Sequence, residues 1–228
     1  MLNAFYHDVS KHWAPKESRI LGHVILAPPI NNGKGYNEDW AIIEIDSSKV
    51  NASNFDRNSF DLGTHIPFYK FSRMVCANLP DANSFEYPFD CLLKLEGTIP
   101  YEEMFHSTAS DDPYLMVIKC GGTTGLTVGH ANNLCSYARH TYSHGQAKTF
   151  KEWAILPLDS KSGAFSAKGD SGSVIIDKLG RIGGLLTSGS GTAEFMDIPY
   201  ATPISFLLKS MEDNGLNKPN ICPLLTAQ

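Results

Sequence analysis

The residues best suited to chemistry are Gly169-Asp170-Ser171-Gly172-Ser173, a serine set between glycines and followed by the apolar run Val174-Ile175-Ile176. A hydroxyl nucleophile needs a tight turn that exposes its oxygen while neighbouring N–H groups aim at the oxyanion developing on the substrate. Ser171 fits the nucleophile, and the N–H groups of Gly169 and Ser171 fit the oxyanion hole. Glycine also lets the backbone approach a ligand and take dihedrals closed to other residues. Gly, Asp and Ser are equally the commonest turn formers, so an ordinary β turn has the same composition.

A second candidate lies in Glu38-Asp39-Trp40-Ala41-Ile42-Ile43-Glu44-Ile45, an acid at the mouth of an alternating apolar strand. An acid that orients an imidazole must be semi-buried and fixed, and Asp39 is expected to do this. The plainer alternative is a loop carboxylate that begins a strand.

The elements that hold these residues are mostly short strands. Leu2, Phe5, Val9 and Trp13 recur at helical spacing and the pattern stops before Pro15, predicting a short amphipathic helix over 2–13. From Ile20 the character changes to β-prone runs at 20–26, 40–45, 91–95, 114–120, 153–156, 173–176, 182–187 and 199–201, separated by Gly, Pro, Asn and Asp. Many short strands with turn signals predict an antiparallel barrel or sandwich. Near the end, Thr202 is expected to cap a helix that opens at Pro203, shows Ile204, Leu207, Leu208 and Met211 on one face, and stops at Gly215.

Together these segments resemble the chymotrypsin/trypsin-like serine proteases, peptidase S1-like. The likeness rests on Gly169 to Ser173 with the strand, turn and Gly183-Gly184-Leu185-Leu186 that follow. It also rests on Asp39-Trp40-Ala41-Ile42, which is similar to the family's D-[FW]-A-[LI] segment, with the acid ahead of the serine. Lys119-Cys120-Gly121-Gly122-Thr123-Thr124-Gly125 to Gly129 is similar to the hairpin that opens the second barrel in intracellular and viral-type members. With Tyr200-Ala201-Thr202-Pro203-Ile204 added, the set also resembles uncharacterised fungal trypsin-like proteins over nearly the whole chain. Ser173 stands where the family usually has a glycine, and no cysteine flanks Ser171.

The resemblance implies an all-β fold, a trypsin-like double β-barrel with a short N-terminal helix and a C-terminal helix. Residues 1–98 would hold the helix and a partial first barrel, and 99–228 the second barrel with the nucleophile. It implies a peptide or protein substrate, with Phe165 at the floor of the side-chain pocket and Thr187 and Gly189 along its wall. It also implies a histidine base ahead of the acid. Of the eight histidines only His7, His12 and His23 precede Asp39, and none has the family's setting. His7 falls opposite the apolar helix face, His12 borders it beside Trp13, and His23 alternates with apolar neighbours on a strand. With 38 residues ahead of Asp39 the first barrel is expected to be incomplete, which leaves strand edges open to self-association.

The totals agree with a folded globular chain. In 228 residues, 42% are hydrophobic and 19% charged, enough apolar surface for a core. The net charge of -5 comes without a run of Lys or Arg, so nucleic acid is not an expected partner. Neither a secretion signal nor an apolar run of membrane-spanning length is found, pointing to an intracellular, cytoplasmic location without a membrane partner. Five cysteines form an odd set without CxxC spacing, read as free thiols, and no metal or cofactor is called for. Three functions are consistent with these residues: a serine endopeptidase, a catalytically inactive peptide-binding module of the same fold, or a structural β protein in which Gly169 to Ser173 is only a turn.

Overall fold

The structure is a computed structural model, and it describes residues 2–30, 35–50, 58–63, 69, 71–72, 87–105, 114–141, 145, 147–189 and 198–221. In chain order its main elements are α1 (Leu2–Trp13), β1 (Gly22–Leu26), β2 (Ile42–Ile45), β3 (Ser59–Asp61), β4 (Leu92–Lys94) and α2 (Tyr101–Phe105). There follow β5 (Leu115–Gly121), β6 (Gly125–Thr141), β7 (Ala147–Pro157), β8 (Val174–Ile176), β9 (Ile182–Gly189), β10 (Pro199–Pro203) and α3 (Ile204–Asp213).

Six strands close an antiparallel barrel in the order β10-β7-β6-β5-β8-β9. Its interior follows from strand alternation, because successive side chains point to opposite faces. Val117, Ala131, Trp153, Ile155, Ile175, Leu186 and Ala201, drawn from all six strands, form one buried cluster with Ile99, Met104 and Phe165. The next residues along two of these strands, Ile118 and Ile176, face outward and join Val128, Ile182, Trp40, Phe60, Leu62, Phe71 and Leu95 in a second cluster closed by Ile204 and Leu207 of α3. That is why β5 and β8 read as unbroken apolar runs: both of their faces are covered.

The all-β class with a short N-terminal and a C-terminal helix is thus what the structure has. Among the described residues ahead of α2, strands form only two two-stranded sheets, β1–β2 and β3–β4. The second of these is tied to the barrel through Glu96 N–H to Gly180 O and the exchange between the 97–99 segment and Ile182. The first is open, with Val24, Ile25, Ile43 and Ile45 about half exposed. The predicted apolar face of α1 is exposed as well, Phe5 at 70% and Trp13 at 60%.

Two expectations about these elements need correction. The strand expected at 153–156 runs from Ala147 to Pro157, because residues 147–153 pair with Cys135–Thr141 in a long hairpin whose exposed polar positions hide it from a search for apolar runs. Thr202 does not cap α3; its hydroxyl donates to the Asn37 carbonyl at 3.2 Å, and Pro203 takes the cap position without a side-chain hydrogen bond. Gly215 does stand past the helix end, with φ +97, the left-handed region that glycine tolerates. No described helix is long and apolar enough to cross a membrane. Cys91, Cys120 and Cys135 carry free thiols.

Candidate active site around Ser171

Ser171 sits on the turn between the 163–168 loop and β8, exposed, with Gly169 at φ +105 and Gly172 at φ +86 on either side. Those angles are open to glycine and strained for other residues, so the turn depends on its sequence. The N–H groups of Asp170, Gly172 and Ser173 donate to Ala167, Leu186 and Asp170 carbonyls at 2.7–3.0 Å. No such bond engages the N–H of Gly169 or Ser171 among the described residues. The Ser171 hydroxyl donates to the Thr187 carbonyl at 3.2 Å, which brings the nucleophile candidate against β9.

Behind the turn, Asp170 is held from every side. Its carboxylate accepts from the N–H groups of Thr123, Thr124 and Ala167, from the Thr124 hydroxyl, and from the Lys119 ammonium 3.2 Å away. Burial alone would raise the Asp170 pKa, but the Thr124 hydroxyl and these backbone donors hold it well below the usual carboxylate range. Burial lowers Lys119, and Asp170 opposes that fall. A Cβ on Gly121 would collide with the Asp170 carboxylate and the Lys119 ammonium, so the β5–β6 hairpin needs glycine there. Sequence reasoning passed over Lys119; the signal was a lysine continuing the apolar run of β5.

Asp39 was expected to be semi-buried, and the structure corrects this. Its side chain is exposed, with no hydrogen bond to its carboxylate among the described residues, whereas the preceding Glu38 is only 1% exposed. Ser210 of α3 donates its hydroxyl to Glu38 Oε1 at 2.7 Å and accepts from Trp40 Nε1 at 3.0 Å. The residues on each side of Asp39 therefore point into the protein and are fixed to α3, while Asp39 between them faces outward.

The other sequence candidates are scattered. Phe165 is 1% exposed, in the barrel-interior cluster with Lys119 5.6 Å from its ring centre. Thr187 and Gly189 lie on β9, and the Thr187 hydroxyl donates to the Tyr200 carbonyl at 3.1 Å. His7 is exposed on α1, and His23 on β1 meets Glu44 at 3.3 Å with 72% of its side chain exposed. The side chain of His12 lies outside the described residues. Among the described residues no histidine hydrogen-bonds Ser171 or Asp39, and none forms a cluster of three metal-ligating side chains.

Glu152 on β7 is a group that sequence reasoning missed. Its side chain is fully buried, neither carboxyl oxygen has a hydrogen-bond partner among the described residues, and His140 Nε2 lies 3.9 Å away. Burial pushes its pKa up to about 7, because the charged form loses its water. A glutamate beside Trp153 in a strand gives no sequence cue of its own, since surface and core glutamates look alike until the covering segment is known.

Comparison with solved structures finds serine proteases. A Cellulomonas bogoriensis chymotrypsin matches with a TM-score of 0.37 and 20% identity over 53% of this chain and 54% of that one. A Nocardiopsis protease matches with a TM-score of 0.35 and 20% identity, over 53% of each chain. A glutamic acid-specific serine protease, described as using a histidine triad in substrate binding, matches with a TM-score of 0.46 and 14% identity over 84% of this chain and 72% of that one. The chain thus spans about half the length of the first two. No family model and no curated protein matches it.

Proposed function

We propose that this chain carries the nucleophile half of a chymotrypsin-like serine endopeptidase. The observation that carries the reading is the hydrogen-bond pattern from Gly169 to Ser173, in which the N–H groups of Gly169 and Ser171 alone are left without a carbonyl beside an exposed hydroxyl. In that reading the Ser171 oxygen attacks the scissile carbonyl of a peptide, and the two N–H groups stabilise the oxyanion. An imidazole takes the serine proton and passes it to the leaving amine, and water then hydrolyses the acyl-enzyme. Asp39 orients that imidazole, and Thr187 and Gly189 line the substrate path. The imidazole itself comes from outside the described residues.

A second reading, a catalytically inactive peptide-binding module, is favoured by one observation. Backbone bonding on the β8 side of β9 ends at Leu186, which Gly172 and Ser173 engage, while among the described residues β9 continues to Gly189 paired only with β10. An extended peptide can add to that open edge without any chemistry at Ser171.

Labelling of the purified chain with a serine-directed fluorophosphonate, with and without added imidazole, separates the two. An endopeptidase half-site labels at Ser171 when imidazole is supplied, and Ser171→Ala abolishes the label. A chain that stays unlabelled at every imidazole concentration supports the binding module and overturns the first reading.

A further inference from the structure

Lys151 is gripped by aromatic rings at the place where the 35–40 segment crosses the barrel. Its backbone N–H donates to the Gly35 carbonyl at 2.7 Å, and Tyr36 makes a parallel bridge to it. Its ammonium donates to the Tyr101 hydroxyl at 2.7 Å and lies 5.3, 5.5 and 5.7 Å from the ring centres of Tyr36, Tyr101 and Phe105. The Tyr36 and Tyr101 hydroxyls are 3.1 Å apart, and the Tyr36 ring also packs on Phe206 of α3 at 5.2 Å. The ammonium meets Tyr101 at its hydroxyl, and near the Tyr36 and Phe105 rings a cation is attracted by each, more strongly where water is partly excluded. The Tyr101 hydrogen bond raises the Lys151 pKa, so the ammonium stays charged.

Tyr36 enters the segment that bears Asp39, and Trp40 leaves it bound to Ser210. Asp39 has no side-chain partner of its own among the described residues, so the backbone path sets where its carboxylate stands; that path is fastened ahead of Asp39 at Tyr36 by Lys151, at the Asn37 carbonyl by Thr202 and at Glu38 by Ser210, and after it at Trp40. We propose that Lys151 is a positioning residue for Asp39: its ammonium, held by Tyr36, Tyr101 and Phe105, fixes the path of the chain into Asp39. The proposal rests on the reading in which Asp39 orients an imidazole. A lysine that served only overall stability would show a different pattern on removal.

Hydrogen exchange of the full chain, read peptide by peptide, tests this with Lys151→Met, which keeps the length and removes the charge, and Lys151→Arg, which keeps a cation over the rings. The expected result is exchange about tenfold faster in Lys151→Met for peptides covering 35–41, with less than about twofold change in β5 and β8 and recovery in Lys151→Arg. Imidazole-promoted labelling of Ser171 should then fall in Lys151→Met as it does in Asp39→Ala, with no further loss in the double variant. Exchange that rises evenly over the chain, or stays unchanged at 35–41, overturns the proposal. A parent chain that does not label counts against the endopeptidase reading, while the exchange result still decides whether Lys151 sets the segment. If Lys151→Met does not fold, Tyr101→Phe, which removes the hydroxyl that holds the ammonium, gives the same local comparison.

Discussion

Lys119 and Asp170 meet as an ion pair 3.2 Å apart with both side chains fully buried, directly behind the turn that carries Ser171. Such a pair is weak evidence for net stability, because desolvation offsets much of the attraction, but breaking it leaves a buried charge without a partner. Lys119→Met is therefore expected to lower the free energy of unfolding by about 3–5 kcal/mol at pH 7. Lys119→Met with Asp170→Asn should recover part of that loss. Because Asp170 is depressed in the folded chain, its contribution is present above the unfolded carboxylate range of about pH 4 and is lost as pH falls below it. Urea denaturation at several pH values checks this, and a single-variant loss under about 1 kcal/mol at pH 7 would falsify it.

Ser210 is the joint that holds both neighbours of Asp39, accepting from Trp40 Nε1 and donating to Glu38 Oε1. Ser210→Ala leaves a buried indole N–H and a buried carboxyl oxygen unmatched, which costs roughly 1–3 kcal/mol for an orphaned polar group. Thermal unfolding of Ser210→Ala beside Ser210→Cys, of nearly equal volume, measures the loss. An Ala variant as stable as the parent would mean that the joint contributes little.

Gly169 holds φ +105 with the Thr123 hydroxyl against the place where a Cβ would stand. Gly169→Ala is expected to cost on the order of 1–3 kcal/mol in backbone strain. In the endopeptidase reading it should also lower imidazole-promoted labelling of Ser171 by about a hundredfold, the scale of losing one oxyanion donor. Labelling that persists at the parent rate would count against a role for the Gly169 N–H.

How much of this was legible in the sequence depends on the distance over which each feature is decided. The Ser171 turn was readable because its glycines and the apolar strand after it are contiguous, and local dihedral demands select those residues. Strands β5, β8, β9 and β10 were readable for the same reason, whereas most of β6 and the hairpin arm of β7 were not, because polar residues break up their apolar runs. The exposure of Asp39 was not readable, since Ser210, which turns Glu38 and Trp40 inward, is 171 positions away from the acid. Lys119 and Glu152 were equally silent, because a buried charge is identified by what covers it and the covering residues are distant in the chain.

Glu152 makes the last prediction, because its carboxyl is buried without a hydrogen bond among the described residues and burial has raised its pKa from 4.5 to about 7. The folded chain then keeps the Glu152 proton to higher pH than the unfolded chain does, so stability falls as pH rises through about 4.5 to 7 and stays lowered above that window. The loss is on the order of 3 kcal/mol, since each tenfold change in proton affinity corresponds to about 1.4 kcal/mol, and any water that reaches the carboxyl lessens it. Glu152→Gln keeps the shape and removes the titration, so it should be more stable than the parent at pH 8 and nearly equal to it at pH 4. His140 Nε2 lies 3.9 Å away, and His140→Gln separates any share it has. Denaturation midpoints from pH 4 to pH 8 decide the matter. A slope that disappears in Glu152→Gln and survives in His140→Gln assigns it to the carboxyl, and a slope that survives in Glu152→Gln overturns that assignment.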